Sequence, residues 1–433
     1  MRDLLILAGM LVWVPLSLSN AFIAYLLWGW TSQIALNDYI YGFMRGVPIN
    51  MIFALITLFM IFLGRDKVKA RVAITPTSLL FILFALQATV SFLAAYSGLV
   101  RNDELYTNLL KALVFCLLMP CILTERYRIH AFVATIVLGL SFHGVIEGLK
   151  YLASGGGHKV QGLVKFGDNN QFAVVIMMAI PLLVYLFRYS ERRLVRIGVL
   201  GGILLSVAAV IATSSRGGFV SLMLMTLWIV FSGRRKILGV LIMALGLLTV
   251  VALAPDSWSE RMDTIKDASK DSSFMTRVVA WKVSSQIALQ NPLTGGGFHA
   301  VQAQPVWDRF RLDNGLLGFV DTPYRPEVAF AAHSIYFEIL GDLGFVGLGL
   351  FLIILGHTFW LCFRIRRQAR RQGAHLQWAS DLAAMLGASM FAYVVGAAAL
   401  SLGYFEVMYI FVMLMQVLAL QVSSTDTTRL PAP

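Results

Sequence analysis

Apolar stretches of roughly 18 or more residues recur along almost the whole chain, each long enough as a helix to cross about 30 Å of hydrocarbon. The runs at 4–36, 47–64, 77–100, 106–123, 130–152, 170–187, 194–213, 217–231, 237–254, 334–363, 380–402 and 404–422 predict about twelve crossings. The first run is ambiguous, because Pro15 followed by Ser17, Ser19 and Asn20 either divides it into two short helices or kinks a single one. Runs so long and uniformly apolar do not suit barrel strands, and backbone groups inside hydrocarbon must pair internally. The expected fold is therefore an all-α polytopic membrane protein.

Polar segments complete the layout. Short connections alternate with one long excursion, 255–332, which holds a further helix pattern at 272–290: serines open it, Phe274, Val278, Trp281 and Leu289 mark an apolar stripe, and Asn291-Pro292 stops it. Three glycines then occupy 295–297, where a tight or left-handed backbone is allowed. This divides the chain into N-terminal spans (1–254), a partly helical loop or cap (255–332), C-terminal spans (333–422) and a tail (423–433).

Charge orients the layout. Basic clusters at 65–71, Arg126/Arg128, Arg192/Arg193/Arg196, 234–236 and 364–371 fall on alternate connections, which predicts that those face the cytoplasm and that the long loop is periplasmic. Both termini are then cytoplasmic if the first run crosses once. With 58% hydrophobic and 13% charged residues and a mean hydropathy of +0.76, the composition excludes an ordinary soluble domain. The net charge of +12 is largely this topological excess, so it carries no expectation of nucleic-acid binding. The run at 4–36 exceeds a signal core and lacks a cleavage site, so it reads as spanning. Cys116, Cys121 and Cys362 lie in or beside apolar runs and suggest neither a disulfide framework nor a zinc site.

Chemistry is expected where polar groups meet the ends of spans on the side poor in basic residues. Arg216 lies between two apolar runs with almost no loop. Anchoring to headgroups is the ordinary use of such a residue, but its small neighbours leave the guanidinium fork accessible for a bidentate phosphate clamp. Arg277 lies one turn before Trp281 on the loop helix, where a solvated helix face is the plainer alternative. His333 opens the span after the loop. It is either a cap or a base, and the positive end of the following helix favours its neutral form. Asn170 and Arg325 are secondary substrate-binding candidates, with helix capping the plainer use of the former. His143 and Glu147, four apart on one helical face, are placed to pair.

The pieces FGDNNQFA (166–173), TSSRGGFVS (213–221), TRVVAWK (276–282) with NPLTGGGF (291–298), and HSIYFEILGDLGFVGL (333–348) resemble, in order and spacing, the successive signatures of the O-antigen ligase and polymerase superfamily. WTSQIALNDYIYGFMRG (30–46) is similar to a branch of O-glycosylation ligases associated with exosortase systems. The resemblance implies an inner-membrane glycosyltransferase that moves a glycan from undecaprenyl pyrophosphate to lipid A-core on the periplasmic face. It implies that Arg216 and Arg277 bind the donor and that His333 is catalytic, with Arg309, Arg311 or Arg325 as alternatives to Arg277. No cofactor or metal is expected, since the chain has no Asp-x-Asp pair, His/Cys cluster or Walker loop. An O-antigen polymerase or a protein O-glycosylation ligase would use the same class of donor. A secondary transporter would instead favour repeated halves with midplane polar sites, and no such repeat is visible. An exosortase-like protease would need an accessible cysteine.

Overall fold

The computed structural model describes residues 2–64, 74–162, 166–232 and 272–427. All regular structure among these is helical. The helices are α1 (Arg2–Ser17), α2 (Ala21–Ile34), α3 (Ile49–Phe62), α4 (Pro76–Leu93), α5 (Asn102–Ile122), α6 (Arg126–Ala153), α7 (Asn169–Tyr189), α8 (Arg193–Ala212), α9 (Arg216–Ser232), α10 (Ser272–Gln290), α11 (Gln304–Phe310), α12 (Ile335–Gln372), α13 (Gln377–Gly396) and α14 (Glu406–Thr427). Of the described helices, 8 are long and apolar enough to cross a bilayer, namely α4 to α8 and α12 to α14, while α3 and α9 are shorter apolar helices. The expected span at 237–254, the first part of the loop at 255–271, and the basic clusters at 65–71 and 234–236 lie outside the described residues or at their edge.

The first apolar run is two helices. Asn20 caps α2 by accepting from Phe22 N, and α1 turns back so that Asp3 Oδ1 accepts from Gly42 N at 3.1 Å and Met44 N at 3.2 Å. The start of α1 therefore lies beside the connection that follows α2. The condition for placing both termini on one side, a single crossing of this run, is not met. At about 1.5 Å per residue each of these helices is also shorter than a bilayer core.

The ends of the bundle differ. One carries the described basic clusters and is laced by side chains: Arg188 pairs with Asp381 at 3.0 Å, Tyr189 Oη donates to the same carboxylate at 2.7 Å, Arg126 lies over the Trp378 ring, and Gln421 Nε2 donates to Thr124 O at 2.6 Å. The other end carries the 37–46, 94–101, 154–162, 166–168, 213–215 and 397–405 segments and the cap formed by α10, α11 and the chain to Ala332. Inside, α7 and α14 are the most enclosed helices, each 72% buried over its most apolar stretch. Lipid tails are as apolar as leucine, so close packing rather than hydrophobicity holds such helices together. Gly148 shows this: a Cβ there would collide with the Leu205 carbonyl, so glycine sets the approach of α6 to α8.

Helix α12 is broken. Gly344 has φ +71, and the loop after α10 fills the gap: Gly296 N donates to Gly341 O at 2.9 Å, Gly297 N to Asp342 O at 3.0 Å, and Phe345 N to Pro292 O at 2.9 Å. Gln87 Nε2 of α4 donates to the carbonyls of Leu293 and Leu343. On α6, His143 bonds Tyr39 Oη and Gln33 O, while Glu147 takes Lys150 of the same helix at 2.6 Å and His158 of the following loop at 2.7 Å.

An alanine at Gly344 would have a strained φ and a Cβ 2.7 Å from Pro292 O. Gly344→Ala is therefore expected to destabilise the fold by about 2 kcal/mol or more. Gly349→Ala, whose Cβ would enter open space, is expected to be neutral. Thermal unfolding of the two detergent-solubilised variants, followed by loss of the monodisperse peak, checks the contrast.

Candidate active site

The Ser-Arg-Gly turn is built by its own side chains. Thr213 ends α8, Ser214 takes a left-handed φ of +51, and Ser215 Oγ caps α9 by accepting from Gly218 N at 3.0 Å. Arg216 is the first residue of α9. At the start of α7 the cap is Asp168, whose Oδ1 accepts from Asn170 N and Gln171 N. Asn170 thus supplies backbone rather than capping side chain, and its own side chain is half-buried at the same rim.

These turns are tied to one another. Asn169 Nδ2 donates to Thr213 O at 2.8 Å, joining the start of α7 to the Arg216 turn. Gln171 Nε2 donates to Ser401 O at 3.3 Å, and Ser401 Oγ accepts from His333 N at 3.0 Å. Four connections distant in sequence thereby share one surface. The cap is docked on it as well. Trp281 Nε1 of α10 donates to Ala332 O at 2.7 Å, and its ring stacks on Phe337 with centroids 5.1 Å apart, which sets α10 alongside the lip of α12.

His333 occupies that lip with a left-handed φ of +43, and Ser334 next to it is extended. Its Nδ1 is buried without a hydrogen-bond partner. Burial, followed by the positive charge of Arg277, holds the imidazole below its ordinary pKa of 6.5, with Asp168 and Glu338 pulling the other way. Arg277 therefore bears on His333 from α10. The other loop arginines are engaged in the cap. Arg309 donates to Gln290 Oε1 and lies over Phe310, Arg311 is 3.7 Å from Asp308, and Arg325 donates to the carbonyls of Arg311 and Asp313 and to Asn314. The buried Lys282 completes this stitching by donating to Asn314 Oδ1, Val320 O and Thr322 Oγ1.

Behind His333 lies an acidic cluster that sequence reading did not anticipate. Glu338 Oε2 accepts from Gly403 N at 2.8 Å, Asp342 Oδ2 accepts from Tyr404 Oη at 3.0 Å, and His299 Nε2 is 3.4 Å from Glu338 Oε1. Burial alone would lower the His299 pKa. The Glu338 carboxylate, with Asp342 beyond it, outweighs that and leaves it raised. The sequence signal was the spacing of Glu338 and Asp342, one turn apart in an apolar run. Among the described residues no group of three or more His, Cys, Asp or Glu side chains could hold a metal ion.

Residues 201–352 match the family model described as O-antigen ligase. That segment, about a third of the chain, is similar to the O-antigen ligase family, whose members are glycosyltransferase-like ligases and polymerases. The apolar helices indicate a multi-pass membrane protein. The ligase-family segment contains the Arg216 turn, α10 and the His333 lip, which are the parts the structure brings together. Residues 1–191 match a second family model, that of a family of unknown function. No curated protein matches the chain.

The opposing effects on His333 can be separated. Carbethoxylation of the neutral ring, followed by peptide mass spectrometry across pH, is expected to give His333 a midpoint below 6.5. In Arg277→Gln the midpoint is expected to rise, because the protonated form loses a repulsive neighbour while burial is unchanged.

Proposed function

We propose that the chain is an O-antigen ligase, an inverting, metal-independent glycosyltransferase of the bacterial inner membrane, working on the periplasmic face. Its donor is a glycan carried on undecaprenyl pyrophosphate and its acceptor is lipid A-core. The observation that carries the reading is a half-buried His333 whose Nδ1 has no partner, at the lip of α12 on the surface to which the Arg216 turn is tied, with the charge of Arg277 acting on it from α10.

In this reading the donor's polyprenyl tail stays in lipid and its pyrophosphate reaches the rim. His333 takes the proton of the acceptor hydroxyl, whose oxygen attacks the anomeric carbon from the face opposite the pyrophosphate. The carbon–oxygen bond to pyrophosphate breaks, its electron pair leaves with the phosphate oxygen, and Arg216 and Arg277 hold the growing negative charge. A neutral imidazole suits this role, because a protonated one could not accept the hydroxyl proton. Asn170, half-buried at the rim, is available to the donor's sugar or phosphate, whereas Arg325 supports the cap through its carbonyl contacts.

A second reading, transfer to a protein hydroxyl, rests on the resemblance of residues 30–46 to O-glycosylation ligases associated with exosortase systems. It retains the donor and the same three residues and changes only the acceptor.

Purified protein offered one undecaprenyl-pyrophosphate glycan with lipid A-core, a second lipid-linked glycan or a protein acceptor separates ligase, polymerase and protein ligase by product. Arg216→Ala and Arg277→Ala are each expected to slow transfer by roughly 10²–10³-fold, and His333→Ala and His333→Gln by roughly 10²–10⁴-fold, with the proteins still folded. Wild-type transfer in the arginine variants, or in both histidine variants, would overturn the role given to those residues.

A further inference from the structure

Between Asp313 and Asp321 the cap carries an uncharged stretch, Asn-Gly-Leu-Leu-Gly-Phe-Val. The buried Lys282 of α10 holds it from inside by donating to Asn314 Oδ1, Val320 O and Thr322 Oγ1. Gly315, with a left-handed φ of +53, lets the stretch lie flat on α10, where a Cβ would collide with Ser285 Oγ. Leu316 N donates to that hydroxyl at 3.0 Å. Two successive turns follow, with Leu317 N donating to Asn314 O and Val320 N to Leu317 O. Side chains three apart in turns of this kind share a face. Here that face is Leu316 and Phe319, 47% and 84% exposed on a backbone fastened at both ends.

The face continues a surface that belongs to lipid. Leu289 follows Ser285 by one turn of α10, so the exposed Leu289 adjoins Leu316. The exposed Leu293 comes next, and its carbonyl accepts from Gln87 of α4, beside the exposed stripe of Leu86, Val90 and Leu93 on that spanning helix. Height agrees with continuity. Both α4 and α10 pack along α12: Gln87 Nε2 donates to Leu343 O, and Ser284, next to Ser285, packs on Gly341 just before it. Leu316 is therefore level with the last turns of α4, within about 9 Å of its end. An apolar patch that runs from a spanning helix into the cap at that level fits acyl chains. We propose that the 314–320 turn is inserted into the lipid leaflet on the cap side, with Leu316 and Phe319 among the acyl chains and Asp313 and Asp321 at the headgroups. The insertion fixes the edge of the cap to the bilayer. It rests on the multi-pass character of the chain and not on the transferase reading.

Nitroxide collision measurements on the full-length protein, in vesicles of phosphatidylethanolamine and phosphatidylglycerol, provide the test. Spin labels are attached through Leu316→Cys and, separately, Phe319→Cys, in a Cys121→Ser background that leaves only the buried Cys116 and Cys362. Leu86→Cys on α4 serves as the lipid reference and Glu327→Cys, exposed on the cap, as the water reference. Oxygen concentrates among acyl chains and a nickel chelate stays in water. At positions 316 and 319 the ratio of oxygen to nickel collisions is expected to match that at position 86 and to exceed that at position 327 several-fold. Nickel access equal to that at position 327 would place the turn in water. Protection from both reagents would mean that protein covers it, a second copy of the chain included. Either result overturns the proposal, and because the two labels are read independently, one variant that fails to fold leaves the other to decide.

Discussion

The break in α12 is the constraint on which the site depends. In hydrocarbon there is no water to pair a freed backbone group, so an unwound helix persists only where protein refills it. Here Gly296 and Gly297 give their N–H groups to the carbonyls of Gly341 and Asp342, and Pro292 takes the amide of Phe345. The repair fixes the end of α10 against the middle of α12, so the rest of α10 must run back along the first half of α12 towards its lip. Trp281 then reaches Ala332, and Arg277, one turn further on, arrives beside His333. Glycines in the loop are needed by geometry: a Cβ at Gly295 would come 2.5 Å from Asp342 backbone atoms, and one at Gly344 would press on Pro292.

What was legible in the sequence follows the physics of each signal. Apolar runs marked most spans because the bilayer imposes a length, and α10 appeared with its ends because serines and an Asn-Pro pair punctuate it. The break at Gly344 was not legible: Gly341, Gly347 and Gly349 recur around it in the same apolar run, and only the arrival of the 292–297 loop sets it apart from them. The division of the first run had a visible cause in Pro15 to Asn20, but choosing between a kink and a turn needed the Asp3 contacts to Gly42 and Met44. At the site, His333 and Arg277 could be named from position and motif. The ties through Asn169, Gln171 and Ser401 could not, since each joins residues tens to hundreds apart with no periodicity to reveal them.

Glu338 illustrates how one buried carboxylate can serve two neighbours differently. It is 3.4 Å from His299 Nε2, and its charge acts on both His299 and His333. His299 touches it and titrates above the ordinary imidazole value. His333 does not touch it, faces Arg277 instead, and titrates below. Burial lowers both rings; at His299 the adjacent Glu338 carboxylate reverses that, whereas at His333 the charge of Arg277 adds to it. Only the lowered ring is suited to remain unprotonated under the charge of the Arg277 guanidinium.

The 400–405 segment makes this separation possible. Ser401 Oγ holds the backbone of His333, Gly403 N takes Glu338, Tyr404 Oη takes Asp342, and Glu406, directly after it, receives Ser32 and Gln33. Successive residues therefore fasten the backbone of His333, the acidic cluster and the end of α2. A shift of this short strap would move all of them together. Its anchors are Gln171 of α7 and Glu338 and Asp342 of α12, and Glu406 ties the next helix, α14, to α2, so the segment holds the backbone of His333 in register with the acidic cluster.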